Sequence, residues 1–136
     1  MSYSTMQTGC LTGGVKKKSG VNVLPEVSET WEEVRNDKNR DLDWLLASYK
    51  GNSKTDITII ASGNGGLSSC AAALPSSIPV FGGVRLSNGR FVTFFYADDN
   101  TPTMQRGRAS MHKNGVFNVL KGSDREIPMS PTFTED

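Results

Sequence analysis

A chain of 136 residues with 36% hydrophobic content is sized for one domain around one core, burying about two-thirds of the surface its unfolded form exposes. The formal charge of +1 excludes the strongly basic character that general nucleic-acid affinity needs, so any electropositive surface is regional. Two cysteines, Cys10 in a polar stretch and Cys70 in an apolar one, are too few for a disulfide framework and sit at no zinc spacing. Reduced thiols in a cytoplasmic protein are the expectation, since neither an apolar signal segment nor a run of about 18 apolar residues is present.

Residues 1–24 are expected to form a flexible tail, because Met1 to Gly20 is dominated by Ser, Thr, Gly and Gln and ends near the run Lys16-Lys17-Lys18. From Pro25 the pattern becomes helical. Val27, Trp31 and Val34 recur at helical spacing, Ser28 precedes Glu32, and acidic residues fill the first turns, which predicts a helix over 27–36. The turn-rich Asn36-Asp37-Lys38-Asn39 ends it. Large apolar residues over 42–49 and the β-branched run over 56–61, joined by Gly51-Asn52-Ser53, predict an antiparallel hairpin. The glycines of Ser62-Gly63-Asn64-Gly65-Gly66 lead into a small-residue helix over 67–74 that Pro75 closes. That loop lacks the Lys and Ser/Thr of a phosphate-binding loop and the spacing of a dinucleotide fingerprint, so it reads as a turn needing positive φ.

Two apolar runs, 79–86 and 90–96, flank Ser87-Asn88-Gly89, a strong hairpin signal. Phe91, Phe94, Phe95 and Tyr96 within the second run read as core rather than as a base-stacking platform. A helix is predicted over 103–121, stopped by Gly122 and weakened by Gly107 and Gly115 at about 1 kcal/mol each. Arg106, Arg108, Lys113 and Lys121 fall between Asp99 and Asp124 with no acidic residue among them, and Met104, Met111, Val116, Val119 and Leu120 are interspersed. Such a helix packs on a sheet while presenting cations and methionines outward, and asks for an acidic partner. A short edge strand is expected within 125–129, limited by Pro128, and residues 130–136 form a second loose tail.

Catalytic constellations are scarce. The single histidine, His112, lacks a nucleophile at any recognisable spacing and is expected at the surface. Asp98 and Asp99 follow a strand end, where a capping or solvated role is favoured over a Mg²⁺ site. The sequence therefore assigns no catalytic residue, no metal and no cofactor.

The order helix, hairpin, helix, hairpin, basic helix, short strand resembles the actin-depolymerising-factor homology family, also called cofilin-like, and within it is most similar to the coactosins. The resemblance is carried by Trp31-Glu-Glu-Val-Arg-Asn-Asp-Lys-Asn39, Gly63-Asn-Gly-Gly-Leu67 with Ala71-Ala-Ala-Leu74, Phe81 to Arg85, Phe91 to Ala97, and Met104-Gln-Arg106 through Ser110 to Gly122. It implies an α/β (α+β) domain over 25–129 with a mixed five-stranded sheet flanked by helices, and with the family's C-terminal helix missing or reduced. It also implies a monomeric, non-catalytic protein of the cytoplasm and cytoskeleton that binds actin, as filaments or monomers, to modulate filament dynamics. By the same resemblance Arg90 matches a basic filament-contact position. Met104, Gln105, Arg106, Arg108, Ser110, Met111 and Lys113 occupy the part of the long helix placed against actin, with Arg106 and Lys113 as preferred charge contacts. Two departures from the family pattern are the short turn Ser87-Asn88-Gly89 and the missing terminal helix. The competing reading is a small nucleic-acid or phosphate-binding module using Lys16 to Lys18, Arg106, Arg108 and the glycine turn.

Overall fold

The computed structural model describes residues 20–38 and 41–132. Expectations that rest on Cys10, on Lys16 to Lys18, or on residues 1–19 and 133–136 lie outside this range. A short strand β1 (Asn22–Val23) leads into helix α1 (Pro25–Arg35). Pro25 starts that helix two residues before the sequence-based boundary, because its fixed φ suits the first helical position and its missing N–H has no partner to lose there. Val27, Trp31 and Val34 form the buried stripe that the spacing predicts.

Strands β2 (Trp44–Tyr49) and β3 (Asp56–Gly63) form the first hairpin, helix α2 (Gly66–Ala72) follows, and β4 (Val80–Arg85) and β5 (Phe91–Tyr96) form the second hairpin. Helix α3 (Thr103–Phe117) and strand β6 (Arg125–Glu126) complete the order. The sheet has six strands in the order β1-β3-β2-β4-β5-β6, one more than the five expected from the sequence. The added strand is β1, which lies in the span assigned to the flexible tail. Its two residues pair in parallel with Asp56 and Ile57, and Val21 and Val23 are buried. Two residues are too few for periodicity to reveal a strand.

Central strands β2 and β4 are buried on both faces, which is why their sequences read as continuous apolar runs. On one face Leu45, Ala47 and Phe81 meet Val27, Trp31 and Val34 of α1 and Ala109 and Val116 of α3. On the other face Trp44, Leu46, Val84 and Phe94 meet Leu67 and Cys70 of α2. Burial pushes the Cys70 thiol up to about 12, so it stays protonated and acts as a small apolar side chain. Glycines let two large rings approach β4 from opposite sides: a Cβ on Gly83 would sit 2.5 Å from the Trp31 ring, and one on Gly82 would sit 2.1 Å from that of Phe94. The register shifts between Leu46 and Ala47, opposite Ile59 to Ala61, and this bulge leaves Ile60 exposed on β3.

Helix α3 runs unbroken through Gly107 and Gly115 but ends at Phe117, four residues short of the expected boundary. Beyond it Val119 and Leu120 donate to the carbonyls three residues back, tightening the chain so that Leu120 enters the core. Gly122, at φ 88°, then turns the backbone. The Trp31 Nε1–H donates to the Lys121 carbonyl at 2.7 Å, which ties α1 to this exit. Strand β6 pairs in parallel with β5, and beyond it Ile127 is buried and Met129 packs against the α2-side core. The chain after α3 thus adds to the α2-side core as an extended segment.

Candidate docking face on helix α3

Helix α3 lies across the sheet with Ala109, His112, Gly115 and Val116 inward. Met104 and Met111, seven residues apart and therefore on one side of the helix, are 77% and 75% exposed. Neither methionine belongs to the core. Gln105 and Ser110 are exposed and Arg108 is half-buried beside them. An unbranched thioether held in water on a helix is an adaptable apolar surface group.

The cations on the helix differ in how free they are. Arg106 turns back, donating from Nη2 to the Asp98 carbonyl at 2.6 Å, with its Nε buried and without a partner among the described residues. Lys113 pairs with Glu126 of β6 at 3.0 Å and is one-third exposed. Arg108 makes no ion pair among the described residues. Arg90 stands at the β4–β5 turn, 68% exposed, with a loose 3.9 Å pairing to Asp124. That turn closes through Gly89 at φ 85° and bonds between Leu86 and Arg90. Arg90 lies at the start of β5 and α3 begins beyond its far end, so the six-residue strand, about 20 Å long, separates Arg90 from Met104. Met104, Arg108 and Met111 share one side of α3, Gln105 and Ser110 flank it, and Arg106 and Lys113 turn away to Asp98 and Glu126; Arg90 stands apart from all of them.

Two polar contacts fix this helix, one at its entry through Asp98 and one beneath it through His112. Asp98 accepts from the Ser76 hydroxyl, the Ser77 and Asn100 amides and the Thr101 hydroxyl, which holds its carboxyl below the usual carboxylate range. It is a structural hub that fixes the turn leading into α3; it does not cap the helix itself, whose N-cap Pro102 offers no side-chain hydrogen bond, so a turn-closing role replaces the capping one expected from sequence. His112, expected at the surface, is buried, and its Nδ1 lies 2.7 Å from the Tyr49 hydroxyl. Burial and then the Arg108 charge lower the His112 pKa, while burial pushes Tyr49 up to about 12. One histidine in a polar stretch gives no clue that a tyrosine some 60 residues earlier will meet it. Among the described residues, no three His, Cys, Asp or Glu side chains gather as a metal site.

The glycine turn before α2 does not converge on α3. Gly65 and Gly66 have φ of 99° and 73°, as a turn requires, and the Gly65 amide donates to the Asp43 carboxylate. A carboxylate on that amide, with α2 and α3 on opposite sheet faces, separates the elements that a phosphate module would combine. Among the described residues no helix is long and apolar enough to cross a membrane.

Comparison with known proteins agrees with this architecture. The family model described as cofilin/tropomyosin-type actin-binding protein matches residues 20–131. Among solved structures, coactosin from Entamoeba histolytica is similar at a TM-score of 0.72 and 24% identity, covering 83% of this chain and 86% of that one. Cofilin from Streptomyces griseoflavus is similar at 0.69 and 18%, covering 82% and 86%. Human coactosin-like protein is similar at 0.69 and 17%, covering 83% and 80%. No curated protein sequence matches the chain.

Proposed function

Because the chain belongs to the cofilin/tropomyosin-type family of actin-binding proteins, we propose that it is a coactosin-type protein that docks on actin through the outward face of α3. The observation that carries this reading is the exposure of Met104 and Met111 on a helix whose opposite side is committed to the core. Met104 and Met111 supply apolar anchors, Gln105 and Ser110 hydrogen bonds on the two flanks of that methionine stripe, and Arg108 and Lys113 the charge that draws in an acidic surface. Arg106 acts mainly by anchoring the helix entry through Asp98. Arg90 adds a peripheral cation suited to filament sides, where a second actin subunit lies beyond the reach of α3. The role is non-catalytic, in the cytoplasm and at the cytoskeleton, with the protein acting as a monomer to modulate filament dynamics.

Cosedimentation with filaments, run beside binding to monomeric actin, tests the reading. The double variant Met104→Ala, Met111→Ala exchanges only exposed side chains, so its circular-dichroism spectrum and unfolding midpoint stay unchanged while actin affinity falls about tenfold or more. Full binding by that folded variant would remove α3 as the contact. Arg90→Glu is expected to weaken filament binding alone; equal loss toward monomers would remove its filament-specific role.

A further inference from the structure

Beside the outward face of α3 lies a groove that neither composition nor the family match brings to attention. It is framed by the β2–β3 turn, the segment before β4, and the first two turns of the helix, and encloses about 380 Å³. Its lining includes Lys54, Arg108, Gln105, Tyr49, Ile78 and Pro79 and no carboxylate. Lys54 and Arg108 make no ion pair among the described residues. Among the described residues Ile78 is one of four large hydrophobic side chains left exposed. The Tyr49 hydroxyl is already committed to His112 and the Ser48 hydroxyl to the Pro79 carbonyl, so the free donors facing the groove are its cationic and amide groups together with the Ser53 hydroxyl, which accepts from the Thr55 and Asp56 amides.

We propose that this groove is a second contact for the partner held on α3, seating a carboxylate side chain against Lys54 and Arg108 with an aliphatic neighbour on Ile78 and Pro79. The inference rests on the reading of α3 as the docking helix. The charge content selects an acidic occupant, because two cations share one concave surface with no acid to neutralise them. The half-open shape strengthens such a pairing relative to a flat surface, since part of the surrounding water is displaced. Continuity selects the same partner: Gln105 and Arg108 belong both to the groove and to the helix that carries Met104. A protein segment lying over Met104 therefore covers the mouth of the groove. The volume admits two or three side chains rather than a folded element, which fits an extended acidic and aliphatic stretch of the partner's surface.

The test compares Lys54→Glu with Lys50→Glu in the full chain. Both positions are exposed on the same hairpin and both changes shift the net charge equally, but only Lys54 lines the groove. Lys54→Glu is expected to weaken actin binding about fivefold to tenfold, with Lys50→Glu within about twofold of the parent. Ile78→Ser should weaken it as well, at unchanged thermal midpoint. Equal effects of the two lysine changes, or none from either, overturn the groove as a site. If Lys54→Glu binds normally while the Met104→Ala, Met111→Ala variant does not, the groove falls and the docking helix stands. If the parent protein binds neither filaments nor monomers, the docking reading falls, and the groove is decided by ¹⁵N NMR titration with capped glutamyl-leucyl-aspartate. Shifts confined to residues 51–54, 105 and 108 that vanish in Lys54→Glu then retain an acidic-peptide site. Absence of such shifts, or equal shifts with inorganic phosphate, ends it.

Discussion

His112 shows how a single side chain couples the working helix to the core. Its ring is buried beneath α3, in contact with Tyr49 of β2, and Arg108 adds a like charge. Both influences disfavour the imidazolium, so the folded-state pKa lies below the ordinary value of 6.5. Above about pH 6.5 the residue is neutral in folded and unfolded chains alike, and its full contribution to stability is present. As the pH falls below that value the unfolded chain binds the proton first, so stability declines until the folded pKa has been passed. Thermal midpoints measured between about pH 7.5 and about pH 5.5 should therefore fall toward acid, and His112→Gln should flatten that slope. An identical slope in the variant would assign the acid sensitivity to other groups.

At the scale of elements, α3 is a helix whose sequence carries a defect that its fold does not need. A Cβ at Gly107 would meet nothing within 4 Å, and its φ lies outside the left-handed region. Gly107→Ala should therefore stabilise the protein by roughly 0.5–1 kcal/mol, read as a higher urea midpoint at constant slope. A lower midpoint would overturn Gly107 as a simple propensity defect of the helix. The long elements were legible because each pairs a strong period with clear punctuation: Val27, Trp31 and Val34 for α1, Asn88-Gly89 for the second hairpin, Gly65-Gly66 for the start of α2. The acidic-free interval from Asp99 to Asp124 likewise marked α3. What stayed hidden depends on distant partners. Strand β1 exists only because β3 offers it an edge, and the last turn of the predicted helix tightens because Leu120 must reach the core. The free or bound state of each cation was equally illegible, since Arg106 is held by the Asp98 carbonyl and Lys113 by Glu126.

For the whole molecule, near-zero net charge combined with a cation-bearing helix makes attraction to actin a local matter. In the proposed docking through α3, exposed charges would set the encounter and methionine burial the residence time. Raising salt from about 0.05 M to about 0.3 M should weaken binding severalfold through the association rate, leaving dissociation nearly constant, as stopped-flow measurements can separate. A salt effect confined to dissociation would place the charge contacts inside the docked interface instead. The tie between Trp31 and the Lys121 carbonyl has a practical consequence. Indole emission responds to the loss of such a bond, so in a Trp44→Phe background the remaining tryptophan becomes a native optical gauge, reporting without any attached dye whether the distal end of α3 holds its seat when a partner arrives.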